Sequence, residues 1–265
     1  MNIKTKKNQL TNVYKDKIMK KYIEEDEGYD TNPNYKFHGI ETRAHMCVVG
    51  PTKSGKTIFL YRMMQSMTDT FKEIYIFTPT VKQKVYVMLE KEFKVNIMTL
   101  DKAIPHTQLE QKCNKLVIFD DFIDCAKDKR LQGIIMQYAI SGRHSGISTI
   151  FLIQDYCSLA PRIRNQCQYI VMLKTNNTEN LKTILRKSAI PLKHLNVLTD
   201  IITACTEEKF QVFFIDNTPN IPPKYKLRQN FNNIINIDET MKSNEVVFYD
   251  NSIDKKTNKE IIKIT

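Results

Sequence analysis

Eight consecutive residues that include two glycines, a lysine and a threonine carry the strongest chemical signal in the sequence. They match the pattern G-x-x-x-x-G-K-[ST], in which the glycines let the backbone curl so that successive N–H groups point at a phosphate group. The lysine ammonium would neutralise phosphate charge, and the threonine hydroxyl would bind Mg²⁺. The pattern predicts a nucleotide site, and the alternative is an ordinary glycine-containing turn between a strand and a helix. The eight residues are Gly50, Pro51, Thr52, Lys53, Ser54, Gly55, Lys56 and Thr57.

Two adjacent acids form the second signal. Asp120 and Asp121 directly follow the apolar run at residues 116–119, which is typical of a strand that is buried on both faces. Ligands of open α/β sheets bind at the carboxyl ends of strands, so the acids would lie beside the phosphate loop if the two strands are neighbours. Asp120 is then expected to act on Mg²⁺ through a water or through another of its ligands, and Asp121 to polarise the attacking water. Taken alone, the pair is more simply explained as a turn that ends a core strand, but the phosphate loop upstream favours catalysis.

A glutamine ends another apolar run. Gln154 follows residues 148–153, and a glutamine at the tip of a buried strand is costly unless it is paired. Its expected partner is the γ-phosphate or the attacking water, which makes Gln154 a candidate sensor of the nucleotide.

Several basic residues lie where they would not reach the phosphate loop of their own chain. Arg143 and His144 precede the strand at residues 148–153 and would stand at its opposite end. A neighbouring subunit could receive Arg143 there as an arginine finger, whereas the alternative is a surface ion pair. His144 is interpreted as structural. Arg162 and Arg164, in a predicted loop and short helix, are further candidates for an arginine finger or a phosphate contact.

The elements that must position these residues alternate along the chain. This alternation predicts an α/β fold with a mostly parallel central sheet and helices on both faces. A further short strand is predicted at residues 246–249, after the breaker Pro222-Pro223. Strands are predicted at residues 44–49, 73–77, 95–100, 116–119, 148–153, 169–173 and 210–215, and helices at residues 56–67, 81–93, 129–140, 179–187 and 192–203.

Length and composition bound the domain organisation. A chain of 265 residues suits one domain with tails, and no apolar run approaches the roughly 20 residues that span a bilayer. The lysine-rich N-terminus has no continuous apolar stretch, which argues against a secretory signal. We divide the chain into a basic and acidic N-terminal arm at residues 1–42, a phosphate-loop core at residues 43–223 and a C-terminal extension at residues 224–265.

Cysteine spacing and net charge indicate the class of environment and partner. The six cysteines are scattered without C-x-x-C spacing, which argues against a zinc site or a disulfide framework and fits a reducing compartment. The net charge of +11 suits a polyanionic partner such as nucleic acid. A lysine-rich composition gives the same total without any partner, so the charge alone does not decide between them.

Four segments together resemble the FtsK/HerA superfamily of P-loop ATPases, and within it the DNA-packaging ATPases of large DNA viruses of the poxvirus type and their virophage relatives. The segments are GPTKSGKT, LVIFDDF, SGRHSGISTIFLIQD and PRIRNQCQYIV, and the resemblance covers residues 43–173. It implies a P-loop NTPase fold of the RecA/ASCE type, with ATP and Mg²⁺ as cofactors. By this resemblance Thr57 and Asp120 hold the metal, Asp121 completes the Walker B pair, Gln154 is the strand-end sensor and Arg143 is the finger supplied in trans.

The resemblance also implies a function. Such proteins form a ring, of five or six subunits, that drives double-stranded DNA into a preformed capsid at its portal region. A virus-encoded protein of this kind would work in the host cytoplasm or viral factory, or with the virion. Cellular FtsK-type motors carry a separate DNA-reading domain that has no counterpart in this sequence, which argues against sequence-directed translocation.

Two other functions stay open at this point. A nucleoside or nucleotide kinase shares the phosphate loop but usually lacks the adjacent acids and needs an arginine-rich lid, for which Arg162 and Arg164 are the available residues. A non-hydrolysing ATP-binding assembly factor is favoured by Asp121, which stands where a glutamate is more usual, because the shorter acid holds a water less well.

Overall fold

The computed structural model describes residues 31–109, 113–123, 128–188, 190, 195–219, 221–222, 225–235, 245–250 and 259–263. Most of the predicted N-terminal arm, residues 1–30, lies outside the described residues, as do residues 191–194 at the start of the helix predicted at 192–203. In the described ranges, no helix has the length and apolar character to cross a membrane.

A central sheet organises the described part of the chain, in which eleven strands are joined edge to edge. The strands are β1 (His45–Val49), β2 (Glu73–Phe77), β3 (Asn96–Met98), β4 (Lys115–Asp120), β5 (Ile147–Ile153), β6 (Tyr169–Met172), β7 (Phe213–Asp216), β8 (Leu227–Gln229), β9 (Asn233–Ile235), β10 (Glu245–Asp250) and β11 (Lys259–Lys263). Strands β6, β1, β5, β4, β2 and β3 lie side by side in this order and run parallel. Beyond β6, strands β7 to β11 extend the sheet in antiparallel pairs. The α/β class with a mostly parallel central sheet is confirmed.

Helices cover both faces of the sheet, as predicted. They are α1 (Tyr35–His38), α2 (Lys56–Ser66), α3 (Lys84–Phe93), α4 (Lys129–Ser141), α5 (Pro161–Arg164), α6 (Thr178–Lys187) and α7 (Leu195–Cys205). Strand β1 shows the reason, because all its residues are buried and their side chains alternate between two cores. Cys47 and Val49 pack in the core that includes α4, α6 and α7, whereas Met46 and Val48 pack in the core that includes α2 and α3.

The parallel register brings the predicted site residues to one edge of the sheet. Val49 of β1 is paired with Ile153 of β5, and Asp120 of β4 is paired with Leu152 of β5. The residues that follow these three strands therefore leave the sheet at the same level. The phosphate loop, the second acid and the strand-end glutamine are consequently neighbours in space.

Some predicted elements differ from the structure. The strand predicted at residues 210–215 begins only at Phe213, because Phe210 lies in a turn with φ of 71°. Its ring packs against the phosphate loop, a tertiary contact that strand propensity does not report. The strand predicted at residues 246–249 is present as β10, but β8, β9 and β11 were missed. Strands β8 and β9 have only three residues each, too short for an alternating pattern.

A buried ion pair holds the first antiparallel strands together. Arg228 of β8 donates to the Asp216 carboxylate of β7 at 3.2 Å, and both side chains are almost fully buried. The same guanidinium donates to the carbonyl of His38, at 2.9 Å, and to that of Phe231, at 3.0 Å. One arginine thereby links β7 and β8 to helix α1.

Candidate active site

The phosphate loop, residues 50–55, joins β1 to α2 and is fixed from both sides. The N–H of Gly50 donates to the carbonyl of Ile153 in β5 at 3.1 Å. On the other side, the N–H of Leu173 donates to the carbonyl of Val49 at 2.9 Å. The loop therefore begins from a position that two neighbouring strands determine.

The second glycine of the loop is required by both conformation and space. Gly55 caps the N-terminus of α2 with φ of 107°, a left-handed conformation that side chains disfavour. A Cβ atom there would lie 2.6 Å from Cδ1 of Phe210. Ser54 has a buried hydroxyl with no hydrogen-bond partner in the described part of the chain. A tight loop that ends in a helix N-terminus, with an unpaired buried hydroxyl, fits a phosphate group.

Lys56 lies over this loop. Its ammonium donates to the carbonyl of Gly50 at 2.7 Å and to that of Pro51 at 3.1 Å. Burial lowers the pKa of Lys56, and the nearby carboxylates of Asp120 and Asp121 act in the opposite direction. The ammonium therefore stands between the loop and the two acids, where it can neutralise phosphate charge.

Asp120 is buried, and two hydroxyl groups hold its carboxylate. It accepts a hydrogen bond of 2.5 Å from Tyr86 of α3 and one of 3.2 Å from Thr78. Burial raises the pKa of Asp120, while the hydrogen bonds from Tyr86 and Thr78 lower it. Burial raises the pKa of Tyr86, and the side chains of Thr57 and Thr78 act in the opposite direction, so Thr57 also lies near the Tyr86 hydroxyl.

Asp121 and Gln154 join the end of β4 to the phosphate loop. The side-chain amide of Gln154 donates to Asp121 Oδ1 at 2.9 Å, and its carbonyl accepts from the Thr52 hydroxyl at 3.1 Å. Asp121 has a φ of 49°, and its N–H donates to the carbonyl of Leu152 at 3.2 Å. The sequence predicts that Gln154 is buried and that its side chain faces a phosphate or a water. In the structure its side chain is exposed and has two protein partners, Asp121 and Thr52.

Tyr86 and Thr78 are not among the predicted site residues, although both contact Asp120. Thr78 follows β2, whose carboxyl end lies at the same edge of the sheet, so the rule that selected Asp120 and Gln154 also applies to it. Tyr86 is fully buried in the first turn of α3, where the helical pattern indicates only a core residue. Its hydroxyl is the feature that a periodicity of apolar residues does not detect.

The oxygen atoms of Thr57 and Asp120 suit Mg²⁺, which prefers hard oxygen ligands together with those of phosphate groups. Across the residues that the structure describes, no group of three or more His, Cys, Asp or Glu side chains could hold a metal ion by itself. A metal ion at this site would therefore depend on the phosphates of a nucleotide for the rest of its ligands.

The structure places Arg143 and Arg164 at the other edge of the sheet. Arg143 lies in the 3₁₀ turn Gly142–Ser145 before β5, and the seven residues of β5, about 20 Å in extended chain, separate it from Gln154. Arg143 and Arg164 line one cavity of about 520 Å³ together with Lys187, which we call the basic cavity. Arg162, on the same short helix as Arg164, is exposed and is not among the residues that line it.

Comparisons with known proteins give three findings. The family model described as "Poxvirus A32 protein" matches residues 36–221. The DNA packaging protein OPG160 of vaccinia virus (strain Copenhagen) is 25% identical over 194 residues, which cover 65% of this chain and 69% of that protein. The protein of the same name from monkeypox virus is also 25% identical over 194 residues and is covered over 62% of its length.

A solved structure supports the fold. The genome packaging NTPase B204 from Sulfolobus turreted icosahedral virus 2, in complex with AMPPCP, superimposes with a TM-score of 0.50. Its sequence is 13% identical, and the match covers 71% of this chain and 96% of that chain.

Proposed function

This chain belongs to the poxvirus A32 protein family, and from that premise we propose that it is an ATPase that moves double-stranded DNA into a preformed viral capsid. The observation that carries the proposal is the side-chain connection between the phosphate loop and the second acid, in which Gln154 links Thr52 to Asp121. The first acid, Asp120, accepts a hydrogen bond from Tyr86, whose hydroxyl also lies near Thr57. The relatives named DNA packaging protein support DNA as the substrate that is moved.

In this proposal the residues around the phosphate loop bind ATP. The backbone N–H groups of residues 50–57 and the N-terminus of α2 receive the β- and γ-phosphates, and Lys56 neutralises part of their charge. Thr57 and Asp120 would hold Mg²⁺, with the Tyr86 hydroxyl keeping the Asp120 carboxylate in place. Bound Mg²⁺ would neutralise charge on the phosphate oxygens as the terminal phosphate is released.

Asp121 and Gln154 act on the water that attacks the γ-phosphate. The Asp121 carboxylate orients and polarises this water, and the amide of Gln154 keeps the carboxylate in place through the 2.9 Å hydrogen bond. Because Gln154 also contacts Thr52 in the phosphate loop, a change in the loop on nucleotide binding or hydrolysis reaches Asp121 through a single side chain. This is the sensor role that we assign to Gln154.

An arginine from a neighbouring subunit completes the site in this proposal. Arg143 stands at the edge of the sheet away from the phosphate loop of its own chain, which suits a finger that acts in trans within a ring of five or six copies. Hydrolysis then requires assembly, since each site lacks this arginine until a neighbouring subunit supplies it. Arg164 shares the basic cavity with Arg143, so it is favoured over the exposed Arg162 as an additional contact.

Movement of DNA is tested by displacement of a third strand from the far end of a long duplex. We expect the wild-type chain to displace this strand only when ATP is present, and the Lys56→Ala chain to fail although it still folds. ATP hydrolysis without any displacement would contradict the proposal and would favour an assembly factor that uses ATP without moving DNA.

The trans arginine is tested by mixing two inactive chains. Arg143→Ala chains should not hydrolyse ATP alone, but should regain activity when mixed with Lys56→Ala chains, because a subunit with an intact phosphate loop then receives the arginine of its neighbour. Mixtures that stay inactive at every ratio would remove the trans role of Arg143.

Transfer of phosphate to a nucleoside is the competing chemistry. The arginines that would form the lid of a kinase lie at the edge of the sheet opposite the phosphate loop, which does not favour a kinase. Product analysis separates the two reactions: we expect free phosphate from ATP, and no phosphorylated product when nucleosides are added.

A further inference from the structure

The basic cavity brings together three cationic side chains from separate parts of the chain. Arg143 comes from the turn before β5, Arg164 from the end of α5 and Lys187 from the end of α6. Among the described residues that line the cavity there is no aspartate or glutamate. Three positive charges therefore face one space without an acidic partner in its lining, an arrangement that attracts anions.

The electrostatic effect of this cluster reaches a buried neighbour. His45 of β1 is completely buried, and its pKa is lowered to about 4, first by burial and then by the charge of Arg143. An acid close to Arg143 would cancel that effect. Arg143 therefore lies close enough to His45 to add to the effect of burial.

Unpaired hydrogen-bonding atoms are concentrated at the same place. Arg143 Nε, Arg164 Nε, the Tyr156 hydroxyl and Asn217 Oδ1 are all buried, and within the described ranges none has a hydrogen-bond partner. Buried polar atoms usually have partners, so several unpaired ones around one cavity point to a ligand. Three of these four atoms are N–H or O–H donors, which match an acceptor-rich anion.

Neighbouring side chains hold the cations in position. The Arg164 guanidinium lies over the ring of Tyr156, 5.4 Å from its centroid. The Lys187 ammonium donates to Asn165 Oδ1 at 2.7 Å, and an ammonium has two further N–H groups. Arginine and lysine fixed in this way are typical of phosphate recognition, and the volume of about 520 Å³ is in the range of small-ligand sites.

We propose that the basic cavity is a second phosphate-binding site, which takes the polyphosphate tail of a nucleotide through Arg143, Arg164 and Lys187 together. This inference deepens the proposed function where the tail belongs to the ATP of a neighbouring subunit. A free polyphosphate offers the same chemistry, and the two sources are separated below.

The test measures binding of inorganic tripolyphosphate to full-length chains by titration calorimetry. All chains carry Lys56→Ala, which weakens the phosphate loop as a competing site. We expect tripolyphosphate to bind the Lys56→Ala chain, and Arg164→Gln or Lys187→Gln in the same background to weaken binding at least about tenfold, the loss of one charge-assisted contact. Arg162→Gln is the matched control, since it removes an arginine from the same helix outside the cavity, and it should change the affinity less than about twofold.

Two results would overturn the proposal. One is that the Lys56→Ala chain does not bind tripolyphosphate. The other is that Arg164→Gln and Lys187→Gln weaken binding no more than the control Arg162→Gln does. Thermal unfolding of each chain without tripolyphosphate shows whether it is folded, and two cavity variants are compared so that the misfolding of one does not decide the result. Because hydrolysis is measured separately on the wild-type chain, a failure here leaves the proposed ATPase function standing.

A second experiment identifies the source of the tail once the site is established. If the tail belongs to a neighbour, Lys187→Gln chains with an intact phosphate loop should hydrolyse ATP poorly alone and regain activity when mixed with Lys56→Ala chains. If the tail belongs to a free polyphosphate, Lys187→Gln should leave hydrolysis unchanged while it weakens tripolyphosphate binding at least about tenfold. Both results support the phosphate site and assign its ligand.

Discussion

The hydroxyl of Tyr86 should stabilise the folded protein more while Asp120 is ionised than when Asp120 is protonated. Tyr86→Phe keeps the buried ring and removes the hydrogen bond of 2.5 Å to the Asp120 carboxylate. A hydrogen bond to a charged group contributes about 1.5–3 kcal/mol, whereas one between neutral groups contributes about 0.5–1.5 kcal/mol. At pH 7 we therefore expect the free energy of unfolding to fall by about 2 kcal/mol, because a buried charge keeps only Thr78 as a hydroxyl partner.

The sign of the pH dependence follows from the direction of the pKa. Burial raises the pKa of Asp120 in the folded state, so its contribution to stability is fully present below the unfolded pKa and is lost as the pH rises through the folded pKa. Tyr86 and Thr78 oppose this loss, since they stabilise the ionised form. Tyr86→Phe should therefore cost more at pH 7 than at pH 4, where a larger share of Asp120 is protonated.

Urea unfolding of both chains at pH 4 and pH 7 measures the effect. Tyr138→Phe is the matched control: it removes another buried hydroxyl, which donates to the neutral carbonyl of Ile104 at 3.1 Å. Its cost should be about 1 kcal/mol at both pH values. Equal costs for Tyr86→Phe at the two pH values, or a cost no larger than that of Tyr138→Phe at pH 7, would refute the reasoning. A double-mutant cycle with Asp120→Asn should give a coupling energy of about 1 kcal/mol or more.

Three further predictions concern other parts of the structure. Asp216→Ala should lower the free energy of unfolding by about 3–5 kcal/mol in urea, because it leaves the buried charge of Arg228 unpaired; an unchanged midpoint would contradict this. Gly55→Ala should abolish binding of a fluorescent ATP analogue, because alanine disfavours φ of 107° and its Cβ atom would clash with the Phe210 ring. Binding within twofold of wild type would show that the loop does not need its present shape. Gln154→Ala should leave ATP affinity nearly unchanged and slow phosphate release about a hundredfold, because Asp121 loses the amide that positions it. A hundredfold loss in ATP affinity would instead indicate that Gln154 acts in binding.

Much of the fold and part of the candidate site could be predicted because the relevant information is local. The run Gly50 to Thr57 specifies its own loop, and runs of four apolar residues specify the buried strands β1, β4 and β5. The rule that ligands bind at the carboxyl ends of parallel strands then brought Asp120, Asp121 and Gln154 to the same edge.

The rest depends on contacts between elements that are distant in the sequence. Tyr86 looks like any core residue of an amphipathic helix until α3 is packed against the end of β4. Arg143 and Arg164 could be proposed one at a time, but their meeting with Lys187 depends on how α5 and α6 return to the start of β5. The position of Phe210 against Gly55 likewise depends on the turn before β7 and not on strand propensity.

The measurement that tests the account most directly is the rate of ATP hydrolysis with and without long duplex DNA, over a range of salt concentrations. Wild-type chains should release phosphate faster with DNA at low salt, and the stimulation should decline as salt rises, because contacts with DNA phosphates weaken with ionic strength. Asp121→Asn should bind ATP and release almost no phosphate under any of these conditions. Hydrolysis by Asp121→Asn at the wild-type rate, or a wild-type rate that DNA does not change at any salt concentration, would contradict the account.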